Sequence, residues 1–240
     1  MTTPSSPAMT TPSLWGRLRG RLTDAASLRS WTVDANDGIV ATAGLLEGFA
    51  GAGAGDAVLI IAATAATVAG ALSLGGAKWA EEAAEREAQL TVAAQEAAEL
   101  AEHPDLEVAE LAAHYEAKGL DAALARQVAE QLSARDALAA QLETEHGIDA
   151  VMPAWEPLWA GLGAGLAFLV GALIPLLITI FVPVQVESWA ILGAVVVSLV
   201  LTSIVAARAG RHSVVRTLVR TLAVGVGTMG VSYLVGLLVF

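Results

Sequence analysis

Four glutamates carry the first chemical signal. Glu96 and Glu99 are three residues apart, and so are Glu107 and Glu110. Residues three apart share one face of a helix, so each pair can aim two carboxylates at one point. Carboxylate oxygens suit hard or borderline divalent cations, Mn²⁺ and Fe²⁺ among them. The same spacing also arises freely on a solvated acidic helix, and a segment this rich in Glu allows either reading. A second signal is Asp34, Asp37 and Glu47 within the otherwise apolar stretch WTVDANDGIVATAGLLEGFAGAGAG (31–55). An ionisable side chain inside a membrane span costs about 2.5–3.5 kcal/mol on insertion scales, which makes each one a functional candidate. Asp34 stands where a helix cap would. Glu47 lies about 15 Å along a helix from Asp37, near or past the middle of a bilayer. Asp37 and Glu47 are read as lining a path at a dimer interface and taking up a cation or a proton in turn. For Glu47 the alternative is a water-filled vestibule with no specific role. His103, His114 and His146 are further possible ligands, against the simpler reading of solvated surface histidines.

The elements that must position these groups follow from composition. Of 240 residues, 55% are hydrophobic and only 15% charged, where a soluble domain has about 25% charged residues. The mean hydropathy is +0.63. Together with several long apolar runs, this points to a multi-pass, all-α membrane protein. There are no cysteines, so disulfides, thiolate zinc sites and iron–sulfur clusters are excluded. Residues 81–150 hold 17 of the 24 Asp/Glu and 4 of the 13 Lys/Arg, a balance of −13 against a whole-chain charge of −11. The negative charge thus belongs to one segment. No nucleophile–base set, phosphate loop or basic nucleic-acid patch is present, so neither an enzyme, nor a prosthetic cofactor, nor a nucleic-acid partner is expected.

A spanning helix needs about 20 apolar residues. Five stretches meet that length, 33–55, 57–79, 157–181, 188–208 and 216–239. Residues 1–30 read as a Pro/Ser/Thr-rich, disordered and then basic N-terminal segment, without the basic-then-apolar order of a cleaved signal. Residues 31–79 give spans one and two, 80–152 an acidic helical insert, and 153–240 spans three to five. Trp31, Trp79, Trp155, Trp159 and Trp189 fall near span ends, where an aromatic belt would lie. Arg17, Arg19, Arg21 and Arg29 precede span one, and Arg208, Arg211, Arg216 and Arg220 separate spans four and five. With five spans both clusters share one side, which the positive-inside rule makes cytosolic, and the insert shares that side. Within the insert, Pro104 marks a second helix, Gly119 its end, and Leu120 or Asp121 the start of a third that runs to Gly147. The first insert helix shows no break from span two. Pro175 should kink span three, and Lys78 could pair with Glu81 or Glu82.

Three stretches carry a resemblance to a known family. ANDGIVATAGLLEGFAGAGAG, VAGALSLGGAKWAEE, and ELAAHYEAKGLDAALARQVAEQLSARDALAAQLETEHGID followed by GALIPLL resemble the vacuolar iron transporter family, nodulin-like relatives included, over nearly the whole chain after residue 30. The resemblance implies a homodimer with five transmembrane helices per subunit and a cytosolic three-helix metal-binding insert. It implies export of Fe²⁺ or Mn²⁺ from the cytosol by proton antiport, with Zn²⁺, Co²⁺ and Ni²⁺ as further possible cargo. The family's metal-binding glutamates match Glu96, Glu99, Glu107 and Glu110, with a fifth at Glu145 (or Glu143), and its transport aspartate matches Asp37. The chain departs from the family at Leu74, where Met is usual. Lys78 precedes Trp79 where many members have Glu, and Ala66 or Thr67 stands where some carry a glutamate. Gln141 and Leu142 replace paired methionines. The cytosolic glutamates are kept while soft ligands are lost. The alternative function is a membrane-anchored metal sensor or scaffold without transport. The partners expected are divalent metal ions, the lipid bilayer and a second copy of the chain. A bacterial inner membrane is favoured over a vacuolar one, from the Ala-rich composition and the lack of a cleaved targeting segment.

Overall fold

A computed structural model of the chain describes residues 25–209 and 213–239. The N-terminal segment with Arg17, Arg19 and Arg21, and Arg211, lie outside them. The described residues form seven α-helices and no strand: α1 (Ala25–Gly51), α2 (Asp56–Glu102), α3 (Pro104–Ala117), α4 (Ala122–His146), α5 (Glu156–Phe181), α6 (Val184–Ala209) and α7 (Val214–Val239). Two compact units are present. One takes the described residues up to Gly76 and from Leu162 onward; the other is Ala77–Gly161.

In the first unit, α1, α2, α5, α6 and α7 share one core of Ile39, Ala43, Leu46, Leu59, Ala63, Leu176, Ile191, Val195, Leu199 and Met229. Small residues let the backbones approach. A methyl group at Gly171 of α5 would collide with the carbonyl oxygen of Ala35 on α1, and one at Gly38 would collide with that of Phe168, so this crossing requires glycine on both helices. The Thr202 hydroxyl donates to Asn36 Oδ1 at 2.6 Å, tying α6 to α1 beside Asp37. Pro175 lies within α5, which continues through it as one element.

Among the described residues, four helices are long and apolar enough to cross a membrane: α2, α5, α6 and α7. The sequence reading expects α1 as a further span. Every 18-residue stretch of α1 holds three of Arg29, Asp34, Asp37 and Glu47, and this charge keeps it below the apolar threshold the other four pass. The five tryptophans read as a belt are all exposed rather than packed into the core.

The second unit is built from the end of α2, from α3 and α4, and from the start of α5. Pro104 sits at the first position of α3, and Gly119 follows its end at φ 101°, a conformation glycine adopts without steric cost. Asp121 is the cap of α4, its Oδ1 accepting from the Ala123 and Leu124 amides at 3.1 Å each. Leu111, Ala112, Ala129 and Ala140 form the seam between α3 and α4. At Asp136 the backbone of α4 leaves helical geometry, and the Asp136 carboxylate caps the renewed turn by accepting from Ala139 N at 3.1 Å. The segment after α4 is pinned to α2 by Arg86 Nε donating to Met152 O and Met152 N donating to Gln89 Oε1, both at 2.9 Å. Lys78 pairs with both Glu81 and Glu82, at 3.1 and 2.9 Å.

Candidate metal and transport sites

The acidic unit gathers its carboxylates from three helices. Glu96 comes from α2, Glu107 and Glu110 from α3, and Glu145 and His146 from the last turn of α4. Ligand-capable atoms of Glu96, Glu145 and His146 lie within 4.8 Å of one another, and so do those of Glu107, Glu110 and Glu145. Glu145 thus belongs to both triads and joins them. Glu96 and Glu107 are buried, at 3% and 4% exposure, while Glu110, Glu145 and His146 are open to solvent. This combination gives fixed ligands at the back and an accessible mouth in front.

Two residues of α4 hold the buried pair, and one of its oxygens is left without a partner. His146 Nε2 lies 3.5 Å from Glu96 Oε2. The buried amide of Gln141 donates through Nε2 to both the carbonyl and the carboxylate Oε2 of Glu107, each at 2.8 Å. Glu96 Oε1 has no hydrogen-bond partner, although a buried carboxylate oxygen normally finds one. Burial raises the proton affinity of Glu96, and the hydrogen bond and charge of Glu107 and the charge of Glu145 raise it further, while His146 opposes them. Glu145 moves the same way, by burial first and then by the charges of Glu110 and Glu107, with His146 opposing and Glu99 adding a smaller push. A carboxylate cluster that resists ionisation this way is relieved by a dication, whose two charges offset the mutual repulsion.

All five glutamates read from the sequence fall in this neighbourhood. Glu96, Glu107, Glu110 and Glu145 enter the triads, and Glu99 is exposed and acts on Glu145 through its charge. Glu143, the alternative to Glu145, is exposed and in neither triad. His146 is exposed, as its surface reading had it, and its ring also lies within reach of Glu96 and Glu145. His103 and His114 join neither. Gln141, noted in the sequence only as a departure, holds Glu107.

The two carboxylates read as a transport path occupy different environments. Asp37 is exposed on α1. Glu47 is buried at 7% exposure, and its Oε1 has no partner. It lines a cleft of about 430 Å³ with Ser188, Trp189, Leu192, Val226, Met229, Gly230 and Tyr233. That cleft is formed by α1, α6 and α7 of a single chain, and Asp37 does not line it.

Comparison with known proteins bears on the same residues. A protein-family model described as the VIT family matches residues 28–237. The chain is also similar to a protein named vacuolar iron transporter from Acanthamoeba castellanii, with 35% identity over 130 residues, covering 54% of this chain and 47% of that protein. It therefore spans about half the length of that curated relative. The family match covers most of the chain, from the start of α1 to the end of α7, and on that ground this chain belongs to the VIT family.

Proposed function

We propose that the chain exports a divalent metal cation, Fe²⁺ or Mn²⁺, from the cytosol across a membrane by proton antiport. In this reading it works as a homodimer of five-span subunits, with α1 as the first span. The observation that carries the proposal is the joining of two donor triads through Glu145, with Glu96 and Glu107 buried behind it. Four carboxylates and one imidazole suit Fe²⁺, Mn²⁺ and, with the nitrogen, Co²⁺, Ni²⁺ or Zn²⁺. Membership of the VIT family and the name of the Acanthamoeba relative support metal as cargo. The acidic unit captures the ion in the cytosol, and Asp37 and Glu47 act on its passage through the membrane. An exposed aspartate on a membrane helix needs water or a second protein surface against it, and this supports a second subunit beside α1. The membrane is the bacterial inner membrane, with the vacuolar membrane as the alternative, and the N-terminus and acidic helices are cytosolic.

One observation favours a second reading, a membrane-anchored metal sensor without transport: Asp37 is absent from the cleft that Glu47 lines. Reconstituted vesicles separate the two. With Fe²⁺ or Mn²⁺ supplied on the side of the acidic unit and the opposite pH followed by a trapped dye, the transporter moves metal and protons in opposite directions, and Asp37→Ala abolishes both movements. Metal binding without flux in the unaltered chain establishes the sensor instead.

A further inference from the structure

At the end of α1 away from Ala25, three further helices contribute polar side chains around Glu47. Glu187 lies in the first turn of α6, at 4% exposure. Ser188 follows it and lies within hydrogen-bonding reach of Glu47, while Thr179 near the end of α5 lies within reach of Glu187. Glu47 and Glu187 act on each other electrostatically, and so do Glu187 and Asp56, the exposed first residue of α2. Among the described residues, no lysine, arginine or histidine forms an ion pair with any of these three acids. Two carboxylates, each more than nine-tenths buried, therefore stand close together with no protein cation to balance them. An uncompensated buried charge costs several kcal/mol, so such a pair is held either with a bound cation or with its own protons.

The unpartnered Oε1 of Glu47 shows where that neutraliser sits. Glu47 borders the cleft that also holds Ser188, roofed by Trp189 and Tyr233. The oxygen is buried yet has no donor, in a cleft large enough for an ion with its retained waters. The polar groups around the pair are oxygens: two carboxylates, the hydroxyls of Ser188 and Thr179, and the outlying carboxylate of Asp56. A mainly oxygen set, with the Met229 thioether as the one soft group lining the cleft, suits a hard or borderline divalent cation such as Mn²⁺.

We propose that Glu47 and Glu187 form a second divalent-cation site at this end of the helical core, separate in sequence and in composition from the glutamates of the acidic unit, with Ser188 and Thr179 completing its oxygen shell. The site rests on the transport reading only for its role as a release point; as a binding site it stands by itself. Asp56, exposed and next in line from Glu187, draws the leaving ion toward solvent.

The test uses the full chain in lipid nanodiscs with the acidic unit silenced by Glu96→Ala, Glu107→Ala and Glu145→Ala, titrated with Mn²⁺ and followed by loss of the free-ion electron-paramagnetic signal. One ion per chain remains bound. Adding Glu47→Gln or Glu187→Gln weakens that binding at least tenfold, whereas Glu187→Asp, which keeps the charge, retains part of it. A chain carrying Glu187→Gln that keeps the helical content and melting temperature of the unaltered chain shows that the substitution leaves the fold in place. If the silenced chain binds no Mn²⁺, or binds it equally with Glu47→Gln and Glu187→Gln, the site does not exist and the pair is neutralised by protons instead. Failure of this titration leaves vesicle flux in the unaltered chain untouched. Absence of flux with the titration intact removes the transport reading and keeps the site.

Discussion

Glu145 is where the two triads of the acidic unit meet, and its loss should matter more than that of its neighbours. It contributes to both donor groups, whereas Glu99 acts on the cluster only through charge. Glu145→Gln should weaken Mn²⁺ binding to the acidic unit by more than about tenfold, and Glu99→Gln by clearly less, as measured by calorimetry; orienting residues of metal sites typically cost 10–100-fold when removed. Gln141 is such an orienting residue. Replacing it with Leu removes both hydrogen bonds to Glu107 and should lower affinity by about tenfold, with the helical content unchanged. The pH dependence follows from the same groups. Glu96 and Glu145 hold their protons above the ordinary glutamate value of 4.5 when folded. The folded apo chain therefore binds more protons than the unfolded chain as pH rises from about that value, and its stability falls with rising pH through this window. Bound metal requires the ionised carboxylates and should reverse the trend. Thermal melts of apo and Mn²⁺-loaded chain between pH 4.5 and 7 should diverge as pH rises, and parallel curves would show that these carboxylates are not ligands.

At the scale of elements, the punctuation of the acidic helices was legible. Pro104, Gly119, Asp121 and Gly147 each bound a helix for a local reason, a ring that fits a first turn, a positive φ or a capping oxygen, and local reasons are written in sequence. Asp136 was not legible as a break, because an aspartate within a helical pattern is ordinary until its carboxylate caps a new turn. Spans two to five could be read from length and hydropathy. α1 was harder, since its apolar pattern is interrupted by the charges that give it chemical interest. The close packing of α1 on α5 was readable only as a general richness in glycine. That Gly171 meets the Ala35 carbonyl is a tertiary fact. Gly171→Ala forces that crossing apart and should cost about 1–3 kcal/mol, the usual range for overpacking, seen as a lowered melting temperature in detergent. An unchanged melting temperature would mean that the α1–α5 crossing relaxes freely.

For the whole molecule, the sequence placed the glutamates of the candidate metal site through helical spacing and a family resemblance, but spacing alone could not separate a site from a solvated acidic face. The separation comes from burial: Glu96 and Glu107 are withdrawn from water and face partners on another helix, which no single helix reveals. Glu187 was missed for the same reason, and His146 could be named only as one of three possible ligands, since each acquires its neighbours only when distant segments pack. Residues 81–150 hold 17 of the 24 acidic side chains, and the central claim is that this charge is organised to seize a dication. Titrating the full chain in lipid nanodiscs with Mn²⁺, with and without Glu96→Ala, Glu99→Ala, Glu107→Ala and Glu110→Ala together, tests that claim most directly. Organised capture predicts saturable high-affinity binding at the acidic unit that the four substitutions abolish, leaving only the single ion assigned to Glu47 and Glu187. Weak, unsaturating binding that declines only in proportion to the charge removed would contradict it.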